Sequence, residues 1–179
     1  METKGVKKRR KLDASGLWDA ALRLLRSRAW PAAELREKLR QKAADPADVG
    51  PVLEKLKSYG YLDDRKYAES FASARLENRS QGRLRVLRDL SQHRVPTAVA
   101  RAAVERVYGE TDEMSLIEEY LRKKYRKVAL EEHLADPRNL ASAYRRLRYA
   151  GFSAGRAIEA LKRYSSRAEE LEGGEEGEP

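Results

Sequence analysis

The stretch Gly60-Tyr61-Leu62-Asp63-Asp64 separates two amphipathic segments of the chain. Glycine readily takes the left-handed conformation in which helices end, and an aspartate accepts hydrogen bonds from the first free amides of a helix. The stretch therefore predicts that one helix ends near Gly60 and the next begins near Asp64. A metal-binding or acid–base pair is the alternative for Asp63 and Asp64, but adjacent carboxylates at a helix start favour capping.

On both sides of this stretch, apolar residues recur three and four positions apart, which is the spacing of one helix face. Trp18, Leu22 and Leu25 follow it, and so do Ile158 and Leu161. Asp45-Pro46 and Asp136-Pro137 each pair a capping carboxylate with a proline at the first helical position. We expect about nine helices, at roughly 15–27, 32–42, 46–58, 64–79, 83–93, 97–107, 112–127, 137–149 and 154–165.

The helices form three copies of one unit. Leu39, Leu90 and Leu147 occupy equivalent places, and the residue fourteen positions after each is again apolar: Leu53, Val104 and Leu161. Small units that cannot enclose their own apolar face stack on their neighbours. The sequence predicts an all-α protein, an elongated curved array of three tandem three-helix repeats over residues 14–60, 61–109 and 110–165.

The charge of the chain is strongly uneven. Its 179 residues carry 38 Lys and Arg against 29 Asp and Glu, a formal net charge of +9. Residues 1–12 have a net charge of +5 and residues 168–179 of −6, which leaves +10 for residues 13–167. Such like-charged ends bury little apolar surface, so we expect a basic mobile tail over 1–13 and an acidic mobile tail over 166–179. The basic body predicts an acidic partner.

Several functional classes lack support in this sequence. Without cysteine there are no disulfides, thiolate metal sites or cysteine nucleophiles. The longest charge-free run, Tyr149–Gly155, is far shorter than the about 20 residues of a membrane-spanning helix. His93 and His133 have no companion metal ligands. We expect a cytoplasmic protein with no catalytic site, no metal and no cofactor.

The residues Gly60-Tyr61-Leu62-Asp63-Asp64, followed by Tyr67-Ala68 and Phe71 and then by Gly82, resemble the signature of the RecX family of bacterial recombinase regulators. The Glu34-Leu35 and Lys38-Leu39 pairs, Arg85, Leu87 and Leu90, and the third-repeat pattern Leu147 with Gly151-Phe152-Ser153 extend the resemblance over most of residues 17–164. It implies tandem three-helix repeats that bind the RecA nucleoprotein filament and regulate DNA repair and the SOS response. It implies modulation, mostly inhibition, of the RecA ATPase, recombinase and strand-exchange activities by a non-enzyme.

Two segments depart from the family pattern. Trp30-Pro31-Ala32-Ala33 lacks the hydroxyl cap before the Glu-Leu pair, so we expect a looser helix start there. Lys42-Ala43-Ala44 and His93-Arg94-Val95 lack the glycine that follows the second helix in the family, so a left-handed turn there costs more.

The aromatic residues near the joint have two interpretations. Tyr59, Tyr61, Tyr67 and Phe71 could stack nucleic-acid bases. Periodic aromatics more often pack in cores, and we favour packing between repeats for these four. Trp18 and Trp30 are core candidates for the same reason.

Three basic clusters form the candidate binding site. They lie in the middle helix of the second repeat, at the corresponding place in the third, and in the run 122–127. The candidate phosphate- or partner-binding residues are Arg83, Arg85, Arg88, Arg94, Lys123, Lys124, Arg126, Lys127, Arg145, Arg146 and Arg148. In register, they would line one positive stripe suited to phosphates or acidic protein surface; the alternative is a solvated charged face.

Three functions fit these residues. The first is a monomer that binds the RecA filament together with single-stranded and double-stranded DNA. The second is a basic helical-repeat DNA-binding protein that acts without a recombinase, and the third is a scaffold whose charges serve solubility. Charge reversal at Arg85, Arg88, Arg145 and Arg148 is expected to separate them by abolishing inhibition at unchanged thermal stability.

Overall fold

The computed structural model describes residues 11–174, which form ten α-helices and two 3-10 segments with no named strand. The helices are α1 (Ala14–Ser27), α2 (Ala32–Arg40), α3 (Val49–Ser58), α4 (Asp64–Arg79), α5 (Arg83–Gln92), α6 (Thr97–Tyr108), α7 (Glu113–Lys124), α8 (Leu130–Leu134), α9 (Pro137–Ala150) and α10 (Ala154–Lys162). The 3-10 segments are Pro46–Asp48 and Ser166–Gly174. None of these helices is long and apolar enough to cross a membrane.

The predicted all-α fold of three-helix domains is confirmed, and the expected apolar residues are buried. The reference leucines Leu39, Leu90 and Leu147 lie on α2, α5 and α9 and are fully buried. The residues fourteen positions later lie on α3, α6 and α10 and are buried too: Leu53, Val104 and Leu161. The prediction missed α8, which is too short to show a helical period but buries Leu134.

Aspartates begin several of the helices. Asp45 accepts the amide hydrogen of Ala47 at 2.9 Å, and Asp136 accepts that of Arg138 at 2.7 Å. Asp112 caps α7 through the amides of Met114 and Ser115. Proline after Asp45 and Asp136 loses no hydrogen bond at a helix start, so these boundaries follow from local sequence.

The described chain divides into two compact units. The first comprises the chain up to Tyr67 together with His93–Val95, and the second comprises Ala68–Gln92 and the chain from Pro96 onward. The core of the first unit is apolar and includes Leu17, Leu35, Leu39, Leu53 and Leu56. The core of the second includes Val86, Leu90, Val104, Ile117, Leu121, Leu147 and Phe152.

The described parts of the two expected tails contact the rest of the fold. Leu12 donates its amide hydrogen to the carbonyl of Lys42 at 2.8 Å and packs against the first core. Ala168, in the 3-10 segment Ser166–Gly174, is fully buried. An apolar side chain in each charged tail reaches a core, which net charge does not reveal. Residues 1–10 and 175–179 of the predicted tails lie outside the described residues.

The two segments without glycine, residues 42–44 and 93–95, have different backbone conformations. Arg94 takes the left-handed conformation, with φ 58°. This backbone conformation is energetically unfavourable for a residue other than glycine. Residues 42–44 have no positive φ and instead pair with Leu12 through two backbone hydrogen bonds.

Candidate nucleic-acid interface

The joint at residues 60–64 ends one helix and begins the next. Gly60, at φ 73°, reverses the chain after α3, and the amide of Tyr61 donates to the carbonyl of Leu56 at 2.9 Å, which is the bond pattern of a left-handed helix end. Leu62 is buried in the first core. Asp63 then caps α4 by accepting the amide hydrogens of Arg65 and Lys66, at 2.9 and 3.1 Å.

Asp64 caps a different helix from the one it begins. Its Oδ1 accepts the amide hydrogen of Ala32 at 2.7 Å, at the start of α2. Pro31 precedes that helix and offers no side-chain cap. The sequence predicts a loose helix start there. In the structure, the carboxylate of Asp64, 32 residues away in the chain, supplies the missing cap.

Two of the candidate arginines on α5 are held inside the second unit. Arg85 donates from Nε to Asp89 at 2.8 Å, and its guanidinium lies 4.4 Å from the ring centre of Tyr149. The pKa of Arg85 is raised, first by its hydrogen bond with Tyr149 and also by Asp89. Arg83 pairs with Glu105 at 3.1 Å and donates to the carbonyl of Tyr108.

Two further candidates have internal partners. Arg148 donates to the carbonyl of Phe152 at 2.9 Å. Lys123 lies 2.6 Å from Glu119 and donates to the buried hydroxyl of Ser80 at 3.0 Å. Because both side chains satisfy acceptors within the fold, we now expect charge reversal at Arg85 and Arg148 to lower the stability as well.

The remaining candidates of the second unit are exposed. No hydrogen bond or ion pair joins them to any residue between 11 and 174; they are Arg88, Lys124, Arg126, Lys127, Arg145 and Arg146. Arg94 is exposed too, but belongs to the first unit. The structure thus divides the predicted set into structural cations and free ones, a division that residue type alone does not reveal.

Helices α5 and α9 bring part of the free set together. The amide of Gly82 donates to the carbonyl of Ala150 at 2.9 Å, so the start of α5 lies against the end of α9. Residues three or four apart share a helix face, and Arg88 therefore lies beside Arg85, and Arg145 beside Tyr149. We call Arg85, Arg88, Arg145 and Tyr149 the α5–α9 patch.

A second basic group surrounds the end of α7. The run 122–127 places five cations in six positions, where they also oppose the negative end of the helix dipole. Burial raises the pKa of Tyr120 and Tyr125, and the positive charge of Arg146 on α9 partly opposes this. Arg146 therefore lies close to α7. We call Lys124, Arg126, Lys127 and Arg146 the α7 patch.

Comparison with known proteins identifies the family of the chain. Residues 18–56 match the first three-helix domain of RecX and residues 63–104 the second. The regulatory protein RecX of Trichlorobacter lovleyi is 31% identical over 133 residues, which cover 74% of this chain and 81% of the relative. The chain belongs to the RecX family. The regulatory protein RecX of Halorhodospira halophila is 42% identical over 87 residues, spanning 49% of this chain and 53% of that protein.

A solved structure supports the RecX fold. The crystal structure of RecX from Lactobacillus salivarius matches with a TM-score of 0.67 over 84% of this chain and 96% of the other, at 18% identity. At this identity the likeness shows the fold alone. RecX is a family of regulatory proteins by name.

The histidines have local partners. His93 lies 2.7 Å from Glu34, and His133 contacts the ring of Tyr125 at 5.4 Å. Within residues 11–174, no group of three or more His, Cys, Asp or Glu side chains could hold a metal ion.

Sequence reasoning did not single out Tyr149, and it favoured core packing for Tyr59 and Tyr61. Tyr149 is 68% exposed, and Tyr59 and Tyr61 are 62% and 55% exposed, whereas Tyr67 is buried and Phe71 is half-buried. The core interpretation of Tyr59 and Tyr61 is therefore wrong. Both lie beyond the end of α3, where helical spacing no longer constrains which way a side chain points. The position beside Gly60 is the signal that could have identified them.

Proposed function

We propose that this RecX protein binds the RecA nucleoprotein filament and inhibits its ATPase, recombinase and strand-exchange activities, and so regulates DNA repair and the SOS response. Membership of the family carries the choice of partner. The observation that carries the mode of binding is the α5–α9 patch, where Arg85 lies 4.4 Å from the ring centre of Tyr149 and the exposed Arg88 and Arg145 lie on the same two adjoining helices.

The α5–α9 patch suits the backbone of a nucleic acid. Asp89 and Tyr149 hold the guanidinium of Arg85 in one orientation, so little side-chain freedom remains to be lost on binding. Arg88 and Arg145 have no competing carboxylate among the described residues and remain available for bidentate contacts with phosphate oxygens. The protein acts as a cytoplasmic monomer on filaments that contain single-stranded or double-stranded DNA.

Binding across neighbouring filament subunits strengthens contacts that are individually weak. Once one patch is bound, the other patch of the same molecule is held near the filament at a high effective concentration, which favours the second contact. The α5–α9 patch and the α7 patch supply two such contacts on one unit. In this way RecX would hinder the rearrangements that ATP hydrolysis and strand exchange require.

The test is a recombinase ATPase and strand-exchange assay with a matched pair of variants. R88E/R145E reverses two free arginines of the α5–α9 patch, and R26E/R40E reverses two exposed arginines of the first unit with the same change in net charge. We expect R88E/R145E to need at least about tenfold more protein for half-inhibition, since tenfold corresponds to about 1.4 kcal/mol. R26E/R40E should inhibit like the parent protein.

The same variants separate the alternative functions. A DNA-binding protein that needs no recombinase would bind bare DNA and filaments equally, and R88E/R145E would weaken both equally. A scaffold would show no salt-dependent DNA binding. Equal inhibition by R88E/R145E and the parent protein, at equal thermal stability, would show that the α5–α9 patch is not the contact surface.

A further inference from the structure

The first unit carries an exposed aromatic cluster that the proposed filament contact does not use. The rings of Tyr59 and Tyr61 lie 6.2 Å apart, tilted by 31°, and each meets the ring of Trp18 edge-on, at 5.8 and 6.3 Å. Lys55 places its ammonium 4.7 Å from the Trp18 ring and 6.0 Å from the Tyr59 ring. We call Trp18, Lys55, Tyr59 and Tyr61 the aromatic cluster.

The fold explains every residue of the joint except the exposed tyrosine. Gly60 supplies the positive φ, Leu62 is buried in the core, and Asp63 and Asp64 cap two helices. Tyr61 leaves more than half of its surface in solvent, and its ring meets that of Trp18 edge-on at 6.3 Å. The exposed face of this ring is available to a ligand.

The surroundings of the cluster favour an anionic ligand. Glu54, beside Lys55 in the chain, pairs with Lys57 at 2.8 Å, and Asp63 and Asp64 accept backbone amides. Lys55 has no carboxylate partner among residues 11–174 and lies against the rings. An aromatic surface with a free cation is the combination on which the bases and phosphates of a single strand bind.

Space for a ligand is present beside the cluster. A cavity of about 330 Å³ opens against Trp18 and Lys55, between the first turn of α1 and the start of α3. Its other lining residues are Ala14, Ser15, Pro51 and Val52, which are small or apolar. A base could therefore approach Trp18 through this cavity without displacing a charged side chain other than Lys55.

We propose that the aromatic cluster is a binding site for unpaired nucleobases of single-stranded nucleic acid, with Tyr59 and Tyr61 stacking on bases and Lys55 contacting a phosphate. This site lies in the first unit and needs neither the recombinase nor the α5–α9 patch. It therefore stands or falls separately from the proposed function.

The test compares a labelled oligo(dT) with an abasic strand of the same length, which has the same phosphates but no bases. Y59A/Y61A is expected to weaken oligo(dT) binding by at least about fivefold, because stacking is worth roughly 1–3 kcal/mol per base. Its affinity for the abasic strand should be unchanged, and so should the dependence of log affinity on log salt, since no charge is removed. Y59F/Y61F keeps both rings and should bind like the parent protein.

Two further measurements complete the test. In a Trp30→Phe background only Trp18 fluoresces, and oligo(dT) should quench it while the abasic strand should not. Lys55→Gln should reduce the salt slope by about 0.7, the value of one phosphate contact on a single strand. Thermal melting of each variant checks that the fold is intact.

Three results would overturn the proposal. Equal affinities of Y59A/Y61A and the parent protein for oligo(dT) would show that the tyrosines do not stack on bases. Equal losses on oligo(dT) and on the abasic strand would point to a structural effect. A loss on recombinase filaments without a loss on free oligo(dT) would assign the cluster to a protein partner. R88E/R145E, by contrast, should weaken binding to both strands.

Discussion

Gly82 and Gly151 approach so closely that neither has room for a side chain. A Cβ on Gly82 would lie 2.3 Å from the carbonyl oxygen of Gly151, and a Cβ on Gly151, at φ 94°, would lie 2.2 Å from the amide nitrogen of Arg85. This backbone contact seats α5 against the end of α9. It thereby brings the ring of Tyr149 to the guanidinium of Arg85.

Gly82→Ala should destabilise the second unit by roughly 1–3 kcal/mol or more, because the methyl group meets backbone atoms that cannot move aside independently. The matched control is Gly155→Ala, where a Cβ meets no atom within 4 Å and helix propensity favours alanine. Urea unfolding measures both. If Gly82→Ala were as stable as Gly155→Ala, the close approach of the two backbones would be refuted.

Asp64→Ala should loosen α2 although Asp64 lies at the start of α4. The cap on Ala32 contributes about 1 kcal/mol, within the usual range for capping carboxylates. Hydrogen exchange should show faster exchange of the Ala32 amide. Asp63→Ala removes the same charge from the neighbouring position, but should speed exchange at the Arg65 and Lys66 amides instead. Identical exchange patterns in the two variants would contradict this division.

Arg85→Ala should cost about 1–3 kcal/mol of unfolding free energy, since it leaves the buried carboxylate of Asp89 with only Arg75, at 3.5 Å. Arg145→Ala removes an exposed arginine and should change stability by less than about 0.5 kcal/mol. Urea titration of both variants, with circular dichroism as the signal, compares them directly. Equal stabilities would mean that Asp89 does not depend on Arg85.

Alkaline pH should lower the stability of the fold by ionising the buried phenol of Tyr108. Burial raises the pKa of its phenol from 10.0 to about 12, against the opposing charges of Arg75 and Arg83. Because the folded state favours the neutral phenol, this contribution to stability is fully present below pH 10 and is lost as the pH rises toward about 12. Spectrophotometric titration should show late-ionising tyrosines, because the pKa values of Tyr120 and Tyr125 are raised too, and Tyr108→Phe should remove the component near pH 12.

Unfolding measurements provide the control for Tyr108. Its hydroxyl donates to the carbonyl of Gln81 at 2.9 Å, so below pH 10 Tyr108→Phe should be less stable than the parent protein by about 1 kcal/mol. Above pH 10 this difference should shrink, since only the parent protein loses the contribution of the buried phenol. A constant difference for Tyr108→Phe would rule out the raised pKa.

Local sequence was sufficient for the helices because their causes lie within a few residues. Asp136 and Pro137 begin α9 wherever that helix is placed, and Gly151 ends it at a positive φ. The apolar residues at fourteen-residue spacing are buried because each sits on the apolar face of its own helix. Helix α8 escaped prediction because five residues are too few to display a period.

The basic character of the molecule and its helical repeats could be deduced from the amino-acid order alone, since charge and helical periodicity are properties of neighbouring residues. Which arginines remain free could not, because Arg83, Arg85 and Arg148 find acceptors on other turns and other helices only after folding. The same holds for Asp64, which caps a helix 32 residues back in the chain. Packing between distant segments decides whether a polar side chain supports the fold or faces a partner.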